Sequence, residues 1–302
     1  MEENTTLQQK EANKGSILIP CLLIVLQSII YSIGDPLVKN VFRSVPVYSV
    51  LSVRYTLGVT LMCLIAGKRI WRGLKTSTLK PFLPTSICTS FAYLFANLAL
   101  SLAEVTPVAF IRSLSTVMTP LLALLLFRAP YAKHHIPIQL SVLVGLYLLC
   151  GPGGMTGFGL GETFALLSAL MMASSLVFSR NALSKGVDPV TMAAVQAACC
   201  GIVSITAAFT LEGGLHLENA TPSTWLIILY LALAGTVGGH WLQNFALRKI
   251  SARTVALLQC TYPVLAAVTS HFLLHESLSL TGAIGCVIIL ACVVAETTIK
   301  SD

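Results

Sequence analysis

Apolar residues come in ten long runs along this chain, at about 17–39, 46–66, 79–103, 106–127, 136–150, 160–181, 189–211, 223–247, 254–274 and 278–295. Polar residues inside the runs do not alternate. They recur every three or four positions, as they do on one face of a helix. Crossing the hydrocarbon layer takes roughly 20 apolar residues per helix, with every backbone group hydrogen-bonded inside the segment. The pattern predicts an all-α integral membrane protein with ten transmembrane helices, the fifth being the shortest. A tilted barrel strand needs about half that length, so a β-barrel does not fit.

The pattern also repeats. Lys39-Asn40 before Pro46 and Arg54 matches Arg180-Asn181 before Pro189 and Gln196; Asn97-Leu98-Ala99-Leu100 matches Asn244-Phe245-Ala246-Leu247; Pro120 matches Pro263. Each half holds five spans, and five is odd, so the second half enters from the opposite side of the bilayer. Two inverted five-helix repeats are expected, a sequence pointer to transporters that alternate access around a site between the repeats. The predicted divisions are a polar tail at 1–16, a first repeat at 17–150, a glycine-rich linker at 151–160, a second repeat at 161–295 and a tail at 296–302.

Composition agrees with this: 55% of residues are hydrophobic and 10% charged, against about 25% charged in soluble domains. The net charge of +7 invites a nucleic-acid reading, which the placement of the basic residues excludes. With the N-terminus inside, all 19 lysines and arginines fall on inner segments except Lys39 and Arg43 outside and Arg54 and Arg112 within spans. That bias sets topology, with both termini cytoplasmic. The plasma membrane is the expected location. The loop expected at 67–80 is strongly basic and anchors the inner headgroup layer. Glu104, Glu162, Glu212, Glu218 and Glu276 all fall on outer ends or loops. The nine cysteines show no CxxC and no neighbouring histidine cluster, so they read as reduced packing residues, with no metal or cofactor expected.

Polar stripes mark the helix faces turned toward a cavity. The first helix offers Gln27, Tyr31 and Asp35; the third Thr89, Tyr93 and Asn97; the fourth Arg112, Ser115, Thr116 and Thr119; the eighth Thr236, His240, Gln243 and Asn244; the ninth Gln259, Tyr262 and Thr269. Counted at 1.5 Å per residue, Arg54 lies about 12 Å and Arg112 about 8 Å from the outer surface, close enough to meet Asp35. Arg54 reads either as a partner of Asp35 or as part of the substrate path. The outer half of the path is charged and the inner half merely polar. Two arginines against one acid imply an anionic or zwitterionic substrate. Arg54, Tyr93, Asn97, Arg112, His240, Gln243, Gln259 and Tyr262 are the candidate substrate-binding residues. Asp35 is the carboxylate expected within a span and the candidate proton carrier, with His240 as the other titratable group. Pro120 and Pro263, which lack the amide proton for the i to i−4 bond, are expected to kink the fourth and ninth helices as gates. No nucleophile-base set or HExxH motif points to an enzyme.

The run ARTVALLQCTYPVLAAVTSHFLLHESLSLTGAIG, from Ala252 to Gly285, resembles the drug/metabolite transporter superfamily in its ten-helix form with two EamA-type repeats. Val53-Arg54-Tyr55 resembles that family's arginine-aromatic pair. The first repeat departs from the pattern: Phe127-Arg128-Ala129-Pro130 stands where the resemblance expects a glutamate. The resemblance implies secondary transport, often export, of a small metabolite such as an amino acid or carboxylate, with a proton or counter-substrate as coupling partner. It leaves two alternatives open: a nucleotide-sugar or sugar-phosphate exchanger of the same superfamily, and a non-transporting scaffold or membrane enzyme.

Overall fold

A computed structural model describes residues 2–76, 80–128, 136–150, 159–274 and 279–298. Among them the chain forms ten helices. They are α1 (Glu2–Val41), α2 (Val47–Thr76), α3 (Phe82–Leu102), α4 in two segments (Val105–Ser113 and Ser115–Phe127), α5 (Ile136–Cys150), α6 (Leu160–Ser184) and α7 (Pro189–Leu211). Then α8 runs from Pro222–Tyr230 through a π-helical stretch, Leu231–Gly238, into Gly239–Lys249; α9 has two segments, Ala252–Leu258 and Thr261–Leu274; α10 is Leu280–Thr298. Seven of these helices are long and apolar enough to cross a membrane, α5 and α10 are shorter apolar helices, and α9 is divided at Gln259–Cys260.

Helix packing displays the duplication. α1 packs on α8 and α9 as α6 packs on α3 and α4, while α2 packs on α7 and α5 on α10. Exchanging the first five helices with the second five turns α1–α8 and α1–α9 into α6–α3 and α6–α4, and leaves α2–α7 and α5–α10 as they are. Pairs α2–α7 and α5–α10 join equivalent helices and so straddle the pseudo-two-fold axis of two inverted repeats. On that axis a Cβ at Gly285 would collide with the Gly145 carbonyl and lie 2.6 Å from the Leu149 amide nitrogen. Backbone cannot yield as a side chain can. Gly285→Val is expected to cost at least the roughly 1–3 kcal/mol typical of overpacking, read as a fall in Tm of the purified protein; an unchanged Tm would contradict this packing.

The repeats also share a device that ties down helix ends. Lys39, in the last turn of α1, donates from Nζ to the Ala103 carbonyl (2.7 Å) at the end of α3. Arg180, near the end of α6, donates to the carbonyls of Leu247 (2.7 Å) and Arg248 (2.9 Å) at the end of α8. Each cation meets the partial negative charge of a helix C-terminus. The first residues of α2 are held by Glu212, whose carboxylate accepts from the amides of Tyr48 and Ser49 at 3.0 Å each.

At the start of α7, Asp188 is the N-cap, accepting from the Thr191 amide (3.0 Å) and from Arg69 at 3.0 and 2.6 Å. Partial burial works against its charge, but the hydrogen bonds from Arg69 and Thr191 outweigh that and hold the carboxyl below its ordinary value. A depressed carboxyl contributes stability above its unfolded pKa of about 4 and loses it as pH falls through the folded value. Asp188→Ala is expected to lower stability by about 1 kcal/mol at neutral pH and to shrink that difference in acid. Tm measured against pH would show it, and a gap that stays constant down to acid pH would contradict it.

One expected loop is helical: 67–76 continues α2 past a non-helical Ala66 (φ −131°, ψ 19°), and helix α1 likewise extends back through 2–16, ahead of the apolar stretch that begins at Ile17. Lysine and arginine are good helix formers, so a basic segment leaving the bilayer need not unwind. The glycine-rich positions 151–158, Glu276 and the end of the second tail (299–302) lie outside the described residues.

Candidate functional site

The α1 stripe sets out the site in three levels, with outer and inner taken from the predicted topology. At the outer level Asp35 Oδ2 accepts from the Tyr262 hydroxyl (2.5 Å) and from Arg112 Nη1 (3.1 Å). The Arg112 guanidinium lies 5.4 Å from the Tyr262 ring centre. Helices α1, α4 and α9 are thereby joined at one carboxylate oxygen.

Arg54 takes a different partner from the one considered for it. Its Nε donates to Thr236 Oγ1 (3.1 Å) on α8, and its guanidinium sits 5.3 Å from the Tyr55 ring centre. Close approach of α8 permits this: a Cβ at Gly235 would lie 2.9 Å from Arg54 Nη2. Arg54 is 4% exposed, and among the described residues no carboxylate lies within ion-pair distance of it. Its repeat equivalent, Gln196 on α7, donates to Thr85 Oγ1 (2.8 Å) and Ser179 Oγ (3.0 Å) and accepts from Asn244 (2.7 Å). Cation stands against neutral amide, so the two halves of the path differ in charge.

The middle level is aromatic. Tyr31 and Tyr93 share a hydroxyl hydrogen bond (2.7 Å), and Tyr31 also donates to the Gly235 carbonyl (3.2 Å) in the π-helical stretch. The Tyr93 ring lies 5.2 Å from the His240 ring. His240 is buried, its Nδ1 hydrogen-bonded to the Thr236 carbonyl (2.9 Å) while Nε2 has no partner among the described residues. Asn97 donates to its own helix at Tyr93 (2.8 Å).

At the inner level three glutamines from α1, α8 and α9 close on one another. Gln243 Oε1 accepts from Gln27 and from Gln259 at 3.0 Å each, Gln27 Oε1 accepts from Gln259 (3.2 Å), and Gln27 also donates to the Gly239 carbonyl (3.0 Å).

Two small cavities lie between these levels. One, of about 50 Å³, is lined by residues including Gln27, Ser28, Arg112, Ser113, Ser168 and Gln259. The other, about 10 Å³, lies among Tyr31, Asp35, Arg54, Tyr93, Asn97 and Arg112. Arg112 and Tyr31 border both. Tyr262 lines the larger one, whereas His240 and Gln243 line neither and stand behind the wall. Ser168 was not singled out from the sequence, although it is the repeat equivalent of Gln27 and could have been found that way.

Helices α4 and α9 are interrupted, but upstream of the prolines. The breaks fall at Leu114 and at Gln259–Cys260, whereas Pro120 and Pro263 lie inside the following helical segments. Each proline frees the carbonyl four residues back. That of Thr116 receives Gln139 Nε2 from α5 (3.4 Å), and that of Gln259 receives the Tyr262 amide (2.9 Å) in a tighter turn. The breaks meet one another: Thr116 Oγ1 donates to the Ala256 carbonyl (3.0 Å) and touches Cys260 Sγ at 2.9 Å.

A second acid is enclosed among the helices. Glu296, assigned to the second tail by its position, is buried on α10, accepting from Thr254 Oγ1 (3.3 Å) and 3.5 Å from Arg253 Nε. Nothing in a single sequence places the last turn of a helix against the first turn of its neighbour.

Two stretches of the chain, residues 18–151 and 159–295, each match the EamA-like transporter family. The chain belongs to this family. A relative in Archaeoglobus fulgidus, an uncharacterized transporter, is 24% identical over 287 residues, covering 95% of this chain and 88% of its own. A solved crystal structure superposes on this EamA-like chain with a TM-score of 0.75 at 18% identity, over 94% of this chain and 96% of the other. That likeness shows the fold. The family is one of transporters, not enzymes, and its members reside in the membrane as multi-pass proteins.

Proposed function

We propose that this protein is a secondary active transporter, working as an exporter, that carries a small organic metabolite with a carboxylate group, an amino acid among them. The observation that carries this reading is the charge balance at the centre: Arg54 and Arg112 border one space with a single carboxylate, Asp35. Asp35 is occupied by Arg112 and Tyr262, which leaves Arg54 without a carboxylate partner among the described residues. A buried charge inside a membrane costs on the order of 3 kcal/mol, so such a site favours an anionic group on the ligand. Arg54, Arg112, Tyr93, Asn97, Gln259 and Tyr262 would then contact or border the substrate, with His240 and Gln243 acting from behind, and Asp35 would carry the proton that couples transport. Pro120 and Pro263 would help the divided helices α4 and α9 to swing. The basic residues support cytoplasmic termini. Neither repeat brings a lysine to the central cavities, which gives a phosphate-bearing substrate less to bind than a carboxylate.

The test is charge movement in proteoliposomes challenged with carboxylates, zwitterions, amines and phosphates, followed by labelled counterflow to catch electroneutral exchange. Currents or exchange with carboxylates or zwitterions are expected. Response to amines or phosphates alone, or none in either assay from folded protein, would overturn the reading.

A further inference from the structure

The larger central cavity is lined by the Arg112 guanidinium, a set of donors, and by a group of side chains most of which have only acceptor capacity left. Arg112 supplies the donors: Nη1 is engaged with Asp35, and a guanidinium carries five N–H groups in all, so donors remain for a ligand. Three of the four lining serines have already spent their protons, and only Ser115 keeps a hydroxyl that no hydrogen bond commits among the described residues. Ser28 donates to the Ile24 carbonyl (3.0 Å), Ser113 to that of Ala109 (2.8 Å) and Ser168 to that of Ala92 (2.8 Å). A hydroxyl has one proton and two lone pairs, so each of these offers a ligand nothing but an acceptor. Gln259 is in the same condition: its amide nitrogen donates to Gln27 and to Gln243, and its Oε1 takes no donor among the described residues.

We infer that Ser28, Ser113, Ser168 and the Gln259 carbonyl oxygen select a carboxylate that bears a hydrogen-bond donor, a hydroxyl or an amino group, on the carbon next to it. This rests on the carboxylate reading above and narrows it. A ligand whose carboxylate lies on Arg112 turns its α-substituent toward the acceptor wall. An α-hydroxyl or α-ammonium satisfies lone pairs there; a bare methylene leaves them unpaired; an α-keto oxygen finds a donor in Ser115 alone and sets its lone pairs against the other acceptors. Size agrees. The cavity is about 50 Å³ and a buried water takes roughly 10–15 Å³ on the same measure, which leaves room for a handful of heavy atoms, as in a three-carbon acid.

Four three-carbon acids differ chiefly at that carbon: propionate, pyruvate, lactate and alanine. Binding of each to the full-length protein in detergent, read from ligand-induced thermal shifts titrated to an apparent Kd, separates the ideas. Lactate and alanine are expected to bind on the order of tenfold more tightly than propionate or pyruvate, since one net hydrogen bond corresponds to about that factor. Ser113→Ala and, separately, Ser28→Ala remove an acceptor whose proton served only its own helix, so both variants are expected to fold. In each, the advantage of lactate over propionate shrinks several-fold while propionate itself binds as before. Equal binding of all four, or an advantage untouched in both variants, overturns the inference and leaves the carboxylate reading standing. Failure of all four to bind overturns both.

Discussion

Asp35→Asn is expected to abolish accumulation driven by a pH gradient while leaving counterflow in place. Asparagine has the shape of the carboxylate and its amide oxygen still accepts from Tyr262, so the junction of α1 and α9 survives. What disappears is the group that can exchange a proton. One pH unit is worth about 1.4 kcal/mol, so one-for-one exchange against a gradient of two units sustains about a hundredfold concentration ratio. In the variant that ratio should fall to about one. Uptake of label into proteoliposomes with and without the gradient measures it, and a gradient response that survives in Asp35→Asn would move the coupling role elsewhere, with the buried Glu296 the first place to look.

The second large effect concerns Arg112. Arg112→Gln strands Asp35 with only Tyr262 for company, and breaking a buried pair from one side costs about 3–5 kcal/mol; the pair keeps some exposure, 16% and 15% for the two side chains, so the lower end of that range applies. The double variant Asp35→Asn with Arg112→Gln removes both charges and should recover most of that stability. Binding behaves differently: both the single and the double variant are expected to lose the carboxylate ligand, because the donor fork is gone from each. Tm and ligand-induced shifts measured around the full cycle separate the two roles. Recovered binding in the double variant would mean that Arg112 serves only to neutralise Asp35.

Much of this arrangement could be read from the chain. The spacing of Gln27, Tyr31 and Asp35 put three polar groups on one face of α1, and each of them meets the centre of the molecule. Depth counted along the helices put Arg54, Arg112 and Asp35 in the outer half and His240 and Gln259 in the inner one, and so forecast a charged outer half and a merely polar inner one. Periodicity orients a side chain around its own helix axis but says nothing about which helix it will face. The contact of Tyr262 with Asp35, 227 residues apart, therefore stayed out of reach, as did the preference of Asp35 for Arg112 over Arg54. Proline marks a missing hydrogen bond without saying where the chain will relieve it, and in α4 the relief falls six residues upstream, at Leu114. The π-helical stretch of α8 was equally hidden, because hydropathy does not distinguish an i to i+4 bond from an i to i+5 bond.

That stretch works as a register shift stored in the backbone. Residues Leu231–Gly238 hold their chain more loosely wound than the segments on either side. An α-helix advances about 100° per residue, so rewinding the stretch by one residue would turn the segment Gly239–Lys249 through about that angle about its own axis. His240, Gln243 and Asn244 would leave the centre together, and the glutamine closure would come apart without any helix being tilted. Access at one end of the path would then be governed by torsion along a single helix, as a key turns in a lock, and deleting one residue between Leu231 and Gly238 would remove the surplus winding and hold the segment in its present orientation.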